Sequence, residues 1–398
     1  MRKVLIILSL LYCGISLHAA DDEMPVIAFL GVPEWQTTEE NFRVFSECGF
    51  TVSLYPYQSL SMLVKACRYA DQYGVKVLGR CPEMYSSPRS TANTLRQEPG
   101  FFGYYMQDEP TAPQISERQA EIQQLRQADS THVFYINLYP YYNPKWVEPA
   151  LKTKTYPEYL QTASATSCQQ LSFDHYPVMS SGIRPTWYHN LEMVRQESLA
   201  CGKPFWGFVL SVPHDVPSVE DTVYPIPTLG SLRLQVYSNL AYGAQAIQYF
   251  TYWTPKSANH NYHDAPIDFD GNKTKTYDLV QQMNRELKMV SKLFYGAKIV
   301  SVGHLGHTLP EGTTRQTRMP RNIRGLKIIG SKGAIVSQFI KNSHRYLAIV
   351  NKNHEDTLQV LIKARNKIPC HITKDLKEEP MKTAYIVSPG DLLLFRLK

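Results

Sequence analysis

The sequence predicts a (β/α)8 barrel followed by a small antiparallel β-sandwich. Eight short apolar runs alternate with amphipathic, helix-like runs over about 240 residues, a pattern typical of parallel strands joined by helices and close to the usual size of such a barrel. No glycine-rich phosphate loop follows the first run, so a doubly wound sheet is disfavoured. From about residue 298 short strand-like runs follow one another between turn residues, which predicts the sandwich.

The apolar runs of the barrel end at proline, glycine or polar residues. We predict strands at 25–32, 50–55, 75–81, 101–107, 132–138, 170–176, 204–212 and 246–253. Helix-like runs with capping residues at their starts and glycines at their ends lie between them. They are predicted at 38–48, 60–73, 116–128, 155–167, 186–201, 229–242 and 277–294.

The chain divides into three predicted parts. Residues 1–20 combine basic Arg2 and Lys3 with an apolar run and small residues at the end, which is typical of a cleaved secretory signal. We therefore expect export to the periplasm or outside the cell, and a lipoprotein anchor at Cys13 is the less favoured alternative. The barrel is predicted over 21–296 and the sandwich over 297–398. No later stretch is long and apolar enough to cross a bilayer.

Composition excludes some functional classes. The 398 residues are 43% hydrophobic and 12% aromatic, which is enough for one large and one small domain. The formal charge of +7 comes from dispersed Lys and Arg, not from a basic run, so we expect no nucleic-acid partner. The cysteines are widely spaced without a CxxC pair, and the histidines make no HxH or HxxxH pair on a predicted element. We expect no metal and no cofactor.

The carboxyl ends of the predicted strands carry aromatic and hydrogen-bonding side chains. In a parallel barrel these ends meet on one face, where function gathers. Aromatic faces and polar groups together suit a carbohydrate substrate, although each of these residues could equally serve packing. The candidate substrate-binding residues are Trp35, Tyr57, Arg80, Gln107, Asn137, Tyr139, His175, Tyr176, Tyr252 and Trp253.

Three acids at these ends are the candidate catalytic residues. Cleavage of a glycosidic bond requires a carboxylic acid that protonates the leaving oxygen, and we assign this role to Glu109. Strand alternation places Tyr105, Gln107 and Glu109 on one side and Asp108 on the other, although both acids can reach a pocket where the strand ends. Asp108 is either a second pocket acid or a supporting group bonded to backbone or to Arg80.

Asp174 follows the sixth predicted strand. It is either a substrate ligand or catalytic partner, or a structural residue bonded to neighbouring loop amides, and we favour the site. Together with Glu109 and Asp108 it completes the catalytic prediction.

Six short stretches lie in the fourth predicted strand, in the segment around the predicted helix 229–242, and in the sandwich. They are GYYMQDEP at 103–110, PTLGSLRLQVY at 227–237, AYGA at 241–244, YFTYW at 249–253, VN at 350–351 and SPGD at 388–391. Through these stretches the chain resembles the exported (β/α)8-barrel glycoside hydrolases of gut Bacteroidetes. The likeness covers most of the mature chain and specifies a superfamily better than a single family.

The resemblance implies two competing mechanisms. Clan A retaining glycosidases place an acid/base Glu after strand four and a nucleophilic Glu at the end of strand seven. Glu109 fits the first position, but predicted strand seven has no carboxylate, and the nearest ones, Asp215 and Glu220, follow it. The β-N-acetylhexosaminidase pattern uses an adjacent Asp-Glu pair, similar to Asp108-Glu109, in which the Asp orients the acetamido group of the substrate as nucleophile.

We therefore predict a glycoside hydrolase acting on an oligo- or polysaccharide. The alternative is an exported carbohydrate-binding barrel that lacks catalysis, which the missing strand-seven acid favours.

Overall fold

The computed structural model describes residues 23–217, 222–365 and 368–398. The predicted signal at 1–20 and Glu220 lie outside these ranges. Eight parallel strands form a closed barrel, in which each strand pairs with its neighbours along the chain and β1 closes on β8. The strands are β1 (Val26–Phe29), β2 (Val52–Pro56), β3 (Lys76–Arg80), β4 (Phe101–Asp108), β5 (Val133–Leu138), β6 (Leu171–Phe173), β7 (Phe205–Leu210) and β8 (Ala246–Phe250). The predicted barrel is confirmed.

Helices surround the barrel. They are α1 (Glu39–Glu47), α2 (Leu60–Asp71), α3 (Glu83–Ser86), α4 (Pro88–Leu95), α5 (Ala112–Arg126), α6 (Pro144–Ala150), α7 (Tyr156–Ser164), α8 (Trp187–Cys201), α9 (Leu229–Tyr242) and α10 (Lys275–Phe294). The sequence did not predict α3, α4 and α6. Two of them begin with a proline, which suits the first helical turn but also marks turns and loops.

The barrel strands alternate between two cores. Along β7, Trp206 and Phe208 point into the barrel interior. Phe205 and Val209 pack outward against the helices. Gly207 lies where α9 crosses the strand, and a Cβ there would lie 2.0 Å from the amide oxygen of Asn239. A strand that is buried on both faces explains the continuous apolar run seen in the sequence.

The C-terminal strands form two antiparallel sheets. The strands are β9 (Lys298–Leu305), β10 (Ile323–Ile329), β11 (Ala334–Lys341), β12 (His344–Asn351), β13 (Leu358–Ala364), β14 (Cys370–Ile372), β15 (Glu378–Pro380), β16 (Ala384–Val387) and β17 (Leu392–Leu397). A six-stranded sheet has the order β9-β11-β12-β17-β14-β15, and a three-stranded sheet has the order β10-β13-β16. Their facing side chains share one apolar core. The predicted sandwich is confirmed.

The larger sheet packs on the barrel helices with its other face. Ile335 of β11 and Ala348 of β12 belong to the core beneath the helices, whereas their neighbours Val336 and Leu347 face the smaller sheet. An ionic network links α9 and α10 to the sandwich. Arg233 of α9 and Lys374 of the sandwich each form ion pairs with both Glu286 of α10 and Asp391 of the sandwich.

Within the described residues, no helix is long and apolar enough to cross a membrane. The cysteines of these ranges are unpaired, and four of the six are buried. No group of three or more His, Cys, Asp or Glu side chains in the same ranges could hold a metal ion.

Candidate active site

A β-bulge at the end of β4 decides which acid faces the pocket. Tyr105 points into the barrel interior, and Met106 packs outward, as does Ile136 of β5. The register between the two strands shifts at Met106, so one extra residue changes the alternation. Asp108 shares the inward side with Tyr105, and the strict alternation expected from the sequence is wrong here. The paired residues are Tyr105↔Tyr135, Gln107↔Ile136 and Asp108↔Asn137.

Glu109 follows the bulge in a left-handed backbone conformation, with φ of 43°. This conformation is unusual for a residue other than Gly, Asn or Asp. Its N–H donates to the carbonyl oxygen of Asn137 at 2.9 Å. The turn allows the side chains of Asp108 and Glu109, which normally point in opposite directions, to lie close enough for their charges to interact.

Asp174 joins this pair from the loop after β6. Its carboxyl group lies close enough to that of Glu109 for the two to form a hydrogen bond when one of them is protonated. The hydroxyl of Tyr176 donates to Asp174 Oδ2 at 3.1 Å. Asp174 is buried. Three carboxyl groups therefore meet at the ends of β4 and β6.

A chain of polar side chains holds Asp108. The amide of Asn137 donates to Asp108 Oδ1 at 3.0 Å. The Asn137 amide oxygen lies 3.0 Å from Ser172 Oγ, and Ser172 Oγ in turn accepts from the amide of Gln248 at 2.8 Å. All three supporting side chains are buried. Because the Asn137 amide oxygen accepts from Ser172, the Asn137 amide nitrogen faces Asp108 and donates to it. These hydrogen bonds define the orientation of the Asn137 amide.

Loss of hydration raises the pKa values of all three acids, although Asp174 is buried, Glu109 half-buried and Asp108 exposed. It is the largest cause of the raised pKa of Glu109, about 8, and the negative charge of Asp108 adds to it. Loss of hydration followed by the charges of Glu109 and Asp108 raises the pKa of Asp174. It also raises the pKa of Asp108, but the hydrogen bond from Asn137 and the charge of Arg80 oppose this shift. The hydrogen bond and the cation therefore favour the ionised form of Asp108.

Aromatic side chains line the mouth of the barrel around these acids. The hydroxyl of Tyr139 lies close enough for the charges of Glu109 and Asp174 to raise its pKa, after burial as the main cause. Tyr176 stacks on Phe250, with ring centres 5.6 Å apart. A wall of rings with acids between them matches the surface that binds sugars.

Other predicted residues also border the mouth. The Arg80 guanidinium lies 4.9 Å from the ring centre of Tyr105. Trp35 is 67% exposed on the loop after β1 and has its ring edge-on to Tyr55. Asn137 supports Asp108 as described. Gln107 pairs in register with the outward-facing Ile136 and thus lies on the side away from Asp108.

Three predicted residues lie in packing environments away from the three acids. β8 ends at Phe250, earlier than expected, so Tyr252 packs against Phe45 and Phe50 in the layer under the helices. Trp253 is buried in the same outer core, and so is Tyr57. The structure does not bring these three rings to the pocket.

His175 points toward α8, where its Nδ1 lies 2.9 Å from Asn190 Oδ1. Burial lowers the pKa of His175 to about 3, so the ring is neutral. Its ring is 4.8 Å from that of Tyr142, which makes it a support for the wall of the mouth.

Comparisons with known proteins agree with this architecture. The sequence model of the glycoside hydrolase family 42 β-galactosidases matches residues 118–290, less than half of the chain. No curated protein sequence matches. The structure is similar to a β-galactosidase from Bacillus circulans sp. alkalophilus, with a TM-score of 0.63 and 9% identity over 96% of this chain and 100% of that one.

A catalytic mutant of Gan42B, a family 42 β-galactosidase from G. stearothermophilus, gives a TM-score of 0.58 and 7% identity over 95% of this chain and 98% of that one. The β-galactosidase of Marinomonas ef1 gives 0.50 and 10% identity over 68% of this chain, which spans only 60% of that enzyme. The chain shares its fold with these β-galactosidases.

The end of β7 carries no carboxylate among the described residues. β7 ends at Leu210, and Ser211 after it donates to the carbonyl oxygen of Thr251. Asp215, in the following hairpin, holds Asn261 through two hydrogen bonds of 2.6 and 3.0 Å. The described residues therefore supply Asp174 from β6, not an acid from β7, as the third carboxyl group.

Sequence reasoning missed several residues of the site. Ser172 and Gln248 are inward-facing polar residues in the barrel strands, and a polar residue in an otherwise apolar run was the available signal. Arg184 donates to the hydroxyl of Tyr224 at 2.8 Å and lies 4.2 Å from the ring centre of Tyr142. Arg184 comes from a loop, where no periodicity marks a functional residue.

Proposed function

We propose that the protein is a glycoside hydrolase in which Glu109 is the general acid. The observation that carries this proposal is the position of Glu109, a half-buried carboxyl group at the carboxyl end of β4 beside two further acids. Loss of hydration and the charge of Asp108 raise its pKa to about 8. A carboxylic acid that keeps its proton near neutral pH can give it to the leaving oxygen of a glycosidic bond.

In the proposed reaction Glu109 protonates the glycosidic oxygen while the bond from that oxygen to the anomeric carbon breaks. Asp108, held by Asn137, carries the negative charge that stabilises the positive charge developing on the sugar ring. The hydrogen bond from Asp174 orients the Glu109 carboxyl group.

No strand-seven nucleophile enters this scheme. The anomeric carbon is attacked by water or by a 2-acetamido group of the substrate itself, and in the second case Asp108 orients that group. An adjacent Asp and Glu that both face the pocket support the second route, because the bulge at Met106 turns Asp108 inward.

The test compares wild type, Glu109→Gln and the exposed-surface control Glu117→Gln on aryl glycosides. The panel begins with β-galactosides, because the similar solved structures are β-galactosidases, and includes matched 2-acetamido sugars. We expect Glu109→Gln to lower kcat/KM by about 100-fold to 10,000-fold on substrates with poor leaving groups. The loss should be much smaller for dinitrophenyl glycosides, whose leaving group needs no proton.

Equal losses on both kinds of leaving group would show that Glu109 is not the acid. Activity confined to 2-acetamido sugars would select the substrate-assisted route. The second candidate is a carbohydrate-binding barrel without catalysis, favoured by the missing carboxylate at the end of β7 among the described residues. Glycan binding without turnover by wild type would establish that candidate.

A further inference from the structure

Arg80 stands at the mouth of the barrel as the last residue of β3. Its guanidinium lies 4.9 Å from the ring centre of Tyr105, a residue of the barrel interior. The side chain is partly buried. This position places the cation over the inner floor of the pocket, beside the acid Asp108, whose pKa its charge lowers.

Among the described residues, the Arg80 guanidinium has no hydrogen-bond acceptor. In the part of the chain that the structure describes, no carboxylate lies within 4 Å of it and its side chain donates no hydrogen bond. The charge of Arg80 lowers the pKa of Asp108, but the hydrogen bond to Asp108 Oδ1 comes from Asn137. Five N–H donors in a planar fork therefore remain for another partner.

The other arginine of the mouth differs in this respect. Arg184 donates to the hydroxyl of Tyr224 at 2.8 Å and to the carbonyl oxygen of Tyr176 at 3.4 Å, and it packs on the ring of Tyr142. These contacts make Arg184 part of the wall. Arg80 lies over the ring of Tyr105, and its N–H donors have no partner among the described residues.

The charges of the pocket leave room for an anion. Loss of hydration raises the pKa values of Glu109, Asp174 and Asp108, which disfavours negative charge on the three carboxyl groups. Arg80 is the cation that acts on this group, since its charge lowers the pKa of Asp108. The chain as a whole has a formal charge of +7, which favours the approach of an acidic polymer.

We infer that Arg80 binds an anionic substituent of the substrate sugar, either the carboxylate of a uronic acid or a sulfate ester. The planar guanidinium matches both groups through two parallel hydrogen bonds. The substrate class is accordingly an acidic glycan. This inference rests on the proposed glycosidase site, since it places the anionic sugar beside Glu109.

The test is the binding of three probes by calorimetry: methyl galacturonide, galactose 6-sulfate and neutral methyl galactoside. Wild type is compared with Arg80→Gln, Arg80→Lys and the control Arg68→Gln, which removes the same charge from an exposed ion pair with Glu98. We expect wild type and Arg68→Gln to bind one anionic probe at least tenfold more tightly than the neutral sugar. Arg80→Gln should remove this difference, and Arg80→Lys should retain part of it.

The preferred probe identifies the source of the charge, uronate or sulfate. Three results would overturn the inference: wild type binding the neutral sugar as tightly as both anionic probes, wild type binding none of the three, or a preference that survives in Arg80→Gln. Hydrolysis of the same sugars as aryl glycosides keeps the two proposals apart. Turnover without a preference for the acidic sugar would support the proposed glycosidase and refute the proposed acidic substrate. Preferential binding of the acidic sugar without turnover would support the acidic ligand and refute the glycosidase.

Discussion

The substitution Glu109→Gln should increase the stability of the folded protein at alkaline pH. Glu109 has its pKa raised from 4.5 to about 8 in the folded state. The unfolded chain loses this proton near pH 4.5 while the folded protein keeps it to about pH 8, so the free energy of unfolding falls as the pH rises between these values. A neutral glutamine has no such dependence.

The magnitude follows from the same shift. At about 1.4 kcal/mol for each pKa unit, the shift to about 8 sets an upper limit of about 5 kcal/mol for the stability that wild type loses. We therefore compare the free energy of unfolding of Glu109→Gln with that of wild type at each pH. The difference, mutant minus wild type, should be larger at pH 9 than at pH 4 by about 3 to 5 kcal/mol. Asp174 is present in both proteins and contributes to both curves.

The assay is urea unfolding followed by tryptophan fluorescence at pH 4, 6, 7.5 and 9, with the exposed Glu117→Gln as control. The control should follow wild type at every pH. A difference between Glu109→Gln and wild type that stays constant from pH 4 to pH 9 would refute the conclusion that the Glu109 carboxyl group keeps its proton.

Two further predictions concern the pocket and the interface with the sandwich. Asp108→Asn removes the charge that helps to raise the pKa of Glu109, so the alkaline limb of the kcat/KM profile should move down by about one pH unit; a limb that stays in place or moves up contradicts the coupling. Gly390→Ala places a Cβ 2.1 Å from the carbonyl oxygen of Gly230 at φ of 64°, whereas Gly74→Ala has a similar φ of 65° and nothing within 4 Å. We expect the first to lower the free energy of unfolding by about 3 kcal/mol and the second by about 1 kcal/mol, measured by urea unfolding; equal losses would show that the close approach of the two backbones is unimportant.

The alternation of apolar runs with capped amphipathic segments predicted the architecture. Such an alternation is typical of parallel strands surrounded by helices, and it does not depend on the loops that connect them. The polar ends of β4 and β6 identified Glu109, Asp108 and Asp174 before any distance was known. Prolines concealed α4 and α6, because the same residue starts helices and marks turns.

The sequence by itself determined the barrel and the sandwich, and it predicted three acids at strand ends, because strand periodicity and strand ends are properties of neighbouring residues. Only the tertiary structure decided which side chains meet. The bulge at Met106 turned Asp108 inward, and the early end of β8 moved Tyr252 into the helix layer. Neither change alters the hydrophobic pattern, since both depend on the register that a strand adopts with its neighbours and on the packing across the closed barrel.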